Sequence, residues 1–562
     1  MPTLDWIGKQ AVVNHHREVP TRLLHCDSAL SAGDPETGNL LVEGDNLEAL
    51  KALLPYYAGQ IKCIYIDPPY NTGKEGWVYN DNVNSPEIRA WLGSVVGKEA
   101  EDLSRHDKWL CMIYPRLRLL KDFLRSDGII FVSIDDNEIS SMIRVMDEIF
   151  GAANSIGRII WKNVTDNNPT RISVEHEYVV CYAKDISDVN AHWKATTLPI
   201  KEKLESLSDE LTIEFPNLEE RQHAYTAWFR ENKAYMWPFD RYKMIDDGGI
   251  YTGSQSVHNP GKEGYRYDVT HPVTGLPCQE PLMGYRFPES TMKRLLSDGK
   301  IIFGKDETKI VELKLYVQEY KTKLPSIIEM DTRLGSNELR AIFSDRAKIF
   351  DFPKPSAFVS EILSFVTSGD DIILDTFAGS GTTGHAVYSL NQMDGGRRKF
   401  ILCEMDPTIA GTITGERLKR VGDGFGTQAG LGGGFRYCFL GKPLFDEWGT
   451  VTAGVTYADL AAFVFFSETG SPIPAKADGA TTLLGNFGDR AVHLLWNAEC
   501  AGVASDKARN VLTPETLTKL PRVSAACSGP VVVYAEGCTV TPERLAAVGV
   551  TFKQIPYQVI GA

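Results

Sequence analysis

Ile64-Tyr65-Ile66-Asp67-Pro68-Pro69-Tyr70-Asn71-Thr72-Gly73 closes an apolar, β-rich run that begins at Ile61. Two consecutive prolines remove two backbone donors and fix φ, so the strand must stop at Asp67 and the chain must stiffen. A carboxylate and an aromatic ring are thereby held at the carboxyl end of a strand, the edge at which open α/β sheets bind ligands. The set suits a flat ring carrying an exocyclic amine. Tyr70 offers a stacking face, and Asp67 and the Pro68 carbonyl offer acceptors. The competing reading is a bare Pro-Pro turn after a buried strand.

A second stretch narrows the choice. Ile372 to Leu374 is another short apolar run, followed by Asp375-Thr376-Phe377-Ala378-Gly379-Ser380-Gly381-Thr382-Thr383-Gly384. The pattern predicts a strand, a glycine-rich turn and a helix beginning near Thr382, which lets a nucleotide-like ligand approach backbone amides closely. A Gly-x-Gly pair alone is weak and could equally serve NAD; the length of the turn is what sets this one apart. Downstream, Lys399 to Cys403 predicts a further strand ending at Glu404. A carboxylate about 20 residues past a glycine loop is placed to accept hydrogen bonds from ribose hydroxyls. A solvated acid at a strand end is the alternative.

Asp67-Pro68-Pro69-Tyr70 resembles the catalytic motif of the amino-group DNA methyltransferases, and Phe377-x-Gly379-x-Gly381 resembles their S-adenosylmethionine loop. Thr376 departs from the proline usual at that place. The catalytic motif precedes the glycine loop, an order that resembles the circularly permuted β class and, within it, the Mod subunits of Type III restriction-modification systems. Ile130 to Asp136 and Gly335-Ser336-Asn337-Glu338-Leu339 are also similar to family segments. The resemblance implies a Rossmann-like α/β sheet, permuted, with an inserted target-recognition domain and a small C-terminal α/β domain. It implies S-adenosylmethionine as cofactor, held by Asp375, Phe377, Gly379, Ser380, Gly381 and Thr382, with Glu404 on the ribose. It further implies Asp45 near the adenine, Asp67 at the boundary of cofactor and target, and Lys354 and Pro355 over the methionine end. Asp45 reads equally as a helix N-cap.

Length and composition frame these motifs. The chain of 562 residues holds material for roughly three or four domains. Its composition, 43% hydrophobic and 23% charged, is that of an ordinary globular protein. No apolar run approaches the ~20 residues that span a bilayer. The ten cysteines are scattered without a Cys-x-x-Cys pair, which argues against a structural zinc site and a disulfide framework. With no secretory pattern at Met1 to Asp5, the cytoplasm is the expected location. A formal net charge of −14 counts against purely electrostatic nucleic-acid binding, although a basic cleft can coexist with an acidic exterior.

Periodicity places the remaining elements. Residues 1–38 read as an irregular or partly helical lead-in, and Leu40 to Glu43 as a strand before a helix from Leu47 to about Leu54. Lys108 to Arg125 has helical spacing broken by Gly128, then a strand over Ile129 to Ile134 and a helix near Glu138 to Phe150. Ile156 to Trp161 and Glu177 to Ala183 pair as a hairpin at the sheet edge. Phe352-Pro353-Lys354-Pro355 opens a helix to about Val366. The expected domains are thus a lead-in (1–38), a catalytic half (39–188), a recognition insertion (189–344), a cofactor half (345–445) and a C-terminal domain (446–562).

Within the insertion, Tyr225, Trp228, Phe229, Tyr235, Trp237, Phe239 and Tyr242 alternate with Arg221, Arg230, Lys233, Arg241 and Lys243. Aromatic faces among cations can stack on bases and pair with phosphates, and they can equally be the core and rim of a domain. Arg266 and Arg286 are further candidates for DNA contact. By resemblance the partners are double-stranded DNA, a second copy in a homodimer and a nuclease-helicase restriction subunit, with no membrane. The expected reaction is methyl transfer to adenine N6 of a flipped base. Cytosine N4 is the alternative, disfavoured because those enzymes more often carry Ser in place of Asp67. A catalytically idle DNA-specificity subunit is the other.

Overall fold

The computed structural model describes residues 3–72, 104–163, 172–193, 199–233, 236, 239–259, 261–320, 323–346, 349–500, 509–520 and 530–555. Contacts divide the chain into two compact units. One comprises Met1–Trp193, Pro325–Ile328 and Thr332–Ala562; the other comprises Lys194–Leu324 and Glu329–Asp331.

The first unit is built on ten strands: β1 (Arg22–Gly33), β2 (Leu40–Glu43), β3 (Ile61–Ile66), β4 (Leu124–Ile134), β5 (Ser155–Lys162), β6 (His176–Ala183), β7 (Ile327–Glu329), β8 (Ile372–Asp375), β9 (Lys399–Glu404) and β10 (Gly434–Pro443). The helices that concern the site are α1 (Asn46–Tyr57), α2 (Arg105–Phe123), α3 (Ile139–Met146), α4 (Arg333–Ile342), α5 (Ser356–Val366), α6 (Thr382–Asp394) and α7 (Glu416–Asp423). The sheet order is β1-β10-β2-β9-β8-β3-β4-β6-β5-β7. Neighbours from β10 through β4 run parallel, whereas β1 is antiparallel to β10, and β6 is antiparallel to both β4 and β5.

The parallel strands carry near-continuous apolar runs because helices cover both faces. In β3 only Lys62 escapes full burial. Leu374 of β8 pairs with Ile64 of β3, so the two motif-bearing strands are neighbours. Their carboxyl ends therefore open side by side.

Several expectations need correction. The lead-in is partly helical as expected, at Lys9–Val12 and His15–Glu18, but its second half is the strand β1 rather than irregular chain. That strand was invisible locally because its twelve residues lack an apolar alternation and its partner lies some 400 positions away at β10. The same pairing sets Cys26 directly across from Cys438 and joins them in a disulfide, which the scattered cysteine spacing did not announce. The helix α2 ends at Phe123, not Arg125, and Gly128 lies inside β4. Leu124 already pairs with Ile61, and a bulge follows before Ile129 meets Cys63. A Cβ at Gly128 would lie 2.9 Å from the Arg125 carbonyl, so glycine belongs to the bulge rather than to a helix end. The β5–β6 hairpin is present, with β7 added outside β5.

After β10 the chain forms a four-stranded sheet of Leu483–Phe487, Arg490–Leu495, Val531–Ala535 and Val550–Gln554, with the helix Tyr457–Thr469 sharing its apolar cluster. No described helix is long and apolar enough to cross a membrane.

The second unit contains helices Pro199–Glu214 and Leu218–Asn232, and a four-stranded sheet of Met244–Asp246, Gly249–Ser254, Glu312–Tyr316 and Ile301–Ile302. A separate apolar cluster of Val257, Val269, Cys278, Tyr285, Met292, Ile301 and Val311 forms its other core.

Candidate active site and cofactor loop

At the end of β3 the Asp67-Pro68-Pro69-Tyr70 turn is clamped from below. Trp109 of α2 donates its indole N–H to the Pro69 carbonyl at 2.7 Å. Asn71 adopts φ +60° and is fully buried, donating to the Glu138 carboxylate at 2.5 Å and to the Arg105 carbonyl at 3.2 Å. A non-glycine residue in the left-handed region is tolerated most readily by asparagine, and a site of this kind is a common place to find such strain.

Above the turn, four side chains converge. Lys354 Nζ lies 2.9 and 2.8 Å from the two Asp67 carboxylate oxygens and 2.9 Å from Tyr70 Oη. It also lies 3.3 Å from Glu177 Oε2. Tyr70 donates its hydroxyl to the same Glu177 oxygen at 2.8 Å, and Asn163 Nδ2 donates to Glu177 Oε1 at 2.6 Å. Burial alone would lower the Lys354 pKa, but Asp67 and Glu177 outweigh it and hold the ammonium above the ordinary lysine range. Burial, reinforced by Asp67 and Glu177, pushes the Tyr70 phenol well up, so it remains a donor.

At the end of the neighbouring β8 the glycine loop is held by its own residues. Asp375 accepts from the Phe377 N–H at 2.9 Å and the Thr383 hydroxyl at 2.6 Å. Burial raises its pKa to about 7 despite those bonds. Glu404, only 2% exposed, accepts the Gly379 N–H at 2.9 Å through Oε2 and the Asp406 N–H at 2.9 Å through Oε1. Gly381 takes φ +78° as the N-cap of α6, and a Cβ there would lie 3.1 Å from Thr414 Cγ2. Gly379, Gly381 and Gly384 stand at full Gly-x-Gly-x-x-Gly spacing, which corrects the expectation that the turn by itself sets this loop apart from one that serves NAD.

Two polar networks join these parts, and of their contacts only the Asp45 cap was foreseen from the sequence. Arg417 of α7 is fully buried and donates to Ser380 Oγ at 3.0 Å, the Ser380 carbonyl at 3.2 Å and Thr382 Oγ1 at 2.9 Å. Its other terminal nitrogen pairs with Glu338 of α4 at 2.7 Å. Glu338 accepts in turn from the hydroxyl of Ser356, the first residue of α5. His385, pushed down to about 4 chiefly by burial, is neutral against this pair. Thr382 Oγ1 donates to the Lys354 carbonyl at 3.1 Å, so Lys354 has its backbone on the glycine loop and its side chain on Asp67. Gly335 of α4 meets the same segment, where a Cβ would lie 2.1 Å from the Pro353 carbonyl. The second network involves Asp45, whose carboxylate caps α1 and accepts from Arg116 at 2.9 Å. The adjacent Asn46 donates to the Thr376 carbonyl at 3.1 Å and accepts from Arg116. Asp45 is thus a cap at the wall of the glycine loop.

The sequence candidates therefore gather at two adjacent strand ends. Lys354 touches both Asp67 and Tyr70, and Pro355 stands at the N-cap of α5 beside it. Glu177, Asn163 and Arg417 carried no local signal, being ordinary polar residues brought in by the fold, and Glu338 stood in a segment similar to the family's without a role assigned to it.

In the second unit the core-and-rim reading holds for four rings of the aromatic–cation stretch. Tyr225, Phe229, Phe239 and Tyr242 are buried and cannot offer faces to bases, because i, i+4 spacing turns Tyr225 and Phe229 into the core. Arg221 is buried on Asp247 and the Phe215 carbonyl. Arg230, Lys233, Arg241 and Arg286 are exposed; Arg266 is exposed and paired with Glu280 at 2.7 Å. Trp237 and Tyr235 lie outside the described residues. Among the described residues, no group of three or more His, Cys, Asp or Glu could hold a metal ion.

Comparison with known proteins gives this arrangement its relatives. The chain is 46% identical over 416 residues to the Type III restriction-modification enzyme EcoP15I Mod subunit of Escherichia coli, covering 72% of this chain and 64% of that one. It is 31% identical to the StyLTI Mod subunit of Salmonella typhimurium, covering 86% and 75%, and 32% identical to the EcoPI Mod subunit of Escherichia phage P1, covering 72% and 64%. The match thus covers 64% of the EcoP15I and EcoPI subunits, less than two thirds of their length. Residues 61–414 match the N6/N4 methyltransferase family model, described as DNA methylase. That match takes in both motif strands and all that lies between them, and the sheet is the Rossmann-like methyltransferase sheet with its catalytic half written first. The chain belongs to the N6/N4 DNA methylase family.

Proposed function

We propose that this chain is the modification methyltransferase of a restriction-modification system, methylating adenine N6 of a base flipped from duplex DNA. The observation that carries the reading is the adjacency of Asp67 and the glycine loop at the ends of the paired strands β3 and β8. The residues fit S-adenosylmethionine as cofactor. Gly379 and Gly381 leave room for close approach, Gly381 leads α6 without a side-chain cap, and Glu404 places a carboxylate at the end of β9 against the loop, on the side expected for the ribose. Phe377, Ser380 and Thr382 complete that loop. When bound, the cofactor supplies a methyl group on a sulfonium.

The chain's own residues then act on the base. Adenine N6 is a poor nucleophile because its lone pair is delocalised into the ring. Hydrogen bonds from the amine to Asp67 and the Pro68 carbonyl draw the nitrogen toward tetrahedral geometry and free that lone pair. Flipping costs a few kcal/mol. Stacking on Tyr70, worth roughly 1–3 kcal/mol, offsets much of it. Asp67 positions and accepts, and no covalent enzyme intermediate is required. Double-stranded DNA is the substrate partner. A second copy of the chain and a nuclease-helicase subunit are the protein partners this reading expects.

The test is single-molecule sequencing of DNA from cells expressing the chain, beside Asp67→Ala. N6-methyladenine at one short motif, lost in the variant, supports the reading. Modified cytosine would reassign the base, and no modification in either sample would sink it.

A further inference from the structure

Lys354 stands where the target amine has to go. Its ammonium contacts both Asp67 oxygens, at 2.9 and 2.8 Å, so the acceptor that must face adenine N6 already faces a cation. A second carboxylate waits on the other side. Glu177, at the start of β6, lies 3.3 Å from the same ammonium. Asn163 and the Tyr70 hydroxyl hold Glu177 in place at 2.6 and 2.8 Å. Lys354 is 9% exposed, so water cannot easily compensate its charge if it leaves Asp67. An ammonium parted from its only buried anion would be strongly disfavoured, whereas one passed between two anions is not.

We infer that Glu177 is a positioning residue for methyl transfer, the second seat to which Lys354 moves from Asp67 when the target amine enters. The inference rests on the adenine-methylating reading above. The Lys354 backbone need not move, since Thr382 holds its carbonyl and only the side chain has to swing. The Tyr70 and Trp161 rings flank the ammonium, with centroids 4.9 and 5.5 Å away, so the cation stays against aromatic surface. Asp67 is then released as an acceptor, and the site keeps its balance of charge.

The experiment compares the full-length wild type with Glu177→Gln and Glu177→Asp, using mixed-sequence plasmid DNA lacking prior methylation. Single-turnover methylation, S-adenosylmethionine affinity and the melting temperature are measured for each. Removing the charge should slow methylation roughly tenfold or more, as for loss of one charged partner, with cofactor affinity and melting unchanged. Glu177→Asp keeps the charge and should retain most of the rate. A purely structural role predicts otherwise, because the shorter Asp disturbs packing more than Gln does. Equal rates in Gln and wild type, or a slower Asp than Gln, overturn the inference while leaving the methylating function standing. A Gln variant that loses cofactor affinity and melts early overturns it too, by showing a scaffold role. No methylation by the wild type removes the function and this inference together.

Discussion

Gly379 gives its backbone N–H to the Glu404 carboxylate at 2.9 Å, so the acid expected to read the ribose also braces the loop that must admit the cofactor. The two roles can be separated. Glu404→Gln keeps an acceptor for Gly379 but loses charge, and should weaken S-adenosylmethionine binding about tenfold, as for a lost charge-assisted hydrogen bond. Glu404→Ala should in addition cost about 1–3 kcal/mol of stability through the unpaired buried N–H. Calorimetric titration and urea unfolding read the two effects, and equal stability of the two variants would contradict the bracing role.

Asp67→Ala removes the acceptor for the amine while leaving Lys354 its contacts with Glu177 and Tyr70. The fold should survive, and methylation should fall at least ~10²-fold, the loss seen when one essential hydrogen-bonding group is deleted. Retained turnover would refute the assigned role.

Arg417 and Glu338 form an ion pair with the guanidinium fully buried. Breaking a buried pair from one side leaves an uncompensated charge, so Arg417→Met should cost about 3–5 kcal/mol. Because Arg417 also holds Ser380 and Thr382, cofactor affinity should fall with it. A double variant with Glu338→Leu should recover part of the stability but not the affinity. A chemical denaturation series decides this.

Glu361 lies buried in α5, with Oε1 lacking a hydrogen-bond partner, and burial raises its pKa to about 8. The folded pKa is above the unfolded value of 4.5, so the folded state keeps a proton that the unfolded state has lost. Stability from this group therefore falls as pH rises from about 4.5 to about 8, on the order of a few kcal/mol, and levels off above that. Glu361→Gln should flatten the decline, and melting measured at pH 5 and pH 9 in both proteins checks the sign.

Arg230, Lys233, Arg241 and Arg286 expose their charges on the second unit. Any of them that meets a phosphate should, on substitution by Ala, weaken DNA binding evenly across sequences. It should also reduce the slope of log K against log salt by about 1. An unchanged slope would exclude that residue from the contact.

Much of the site could be read without coordinates because its signals are local. A double proline ends a strand wherever it occurs, and glycines at 379 and 381 announce positive φ, observed at +50° and +78°. The helix from Thr382, the strand to Glu404 and the Asp45 cap follow from the same short-range rules. The aromatic stretch from Tyr225 left two readings open for a related reason. Its composition suits base stacking, but helical spacing decides which rings face inward, and the inward ones are core.

What the amino-acid sequence determined, then, was where each strand stops and which groups stand at its end. Tertiary structure alone decided which ends are neighbours. Nothing near Ile64 encodes its pairing with Leu374, and nothing near Cys26 encodes Cys438. Nor does anything near Lys354 mark Asp67 and Glu177 as its partners. Local propensity acts over a few residues, through sterics and single hydrogen bonds. Pairing between distant segments comes from the burial of whole apolar faces against one another, and that energy is defined only once the sheet has formed.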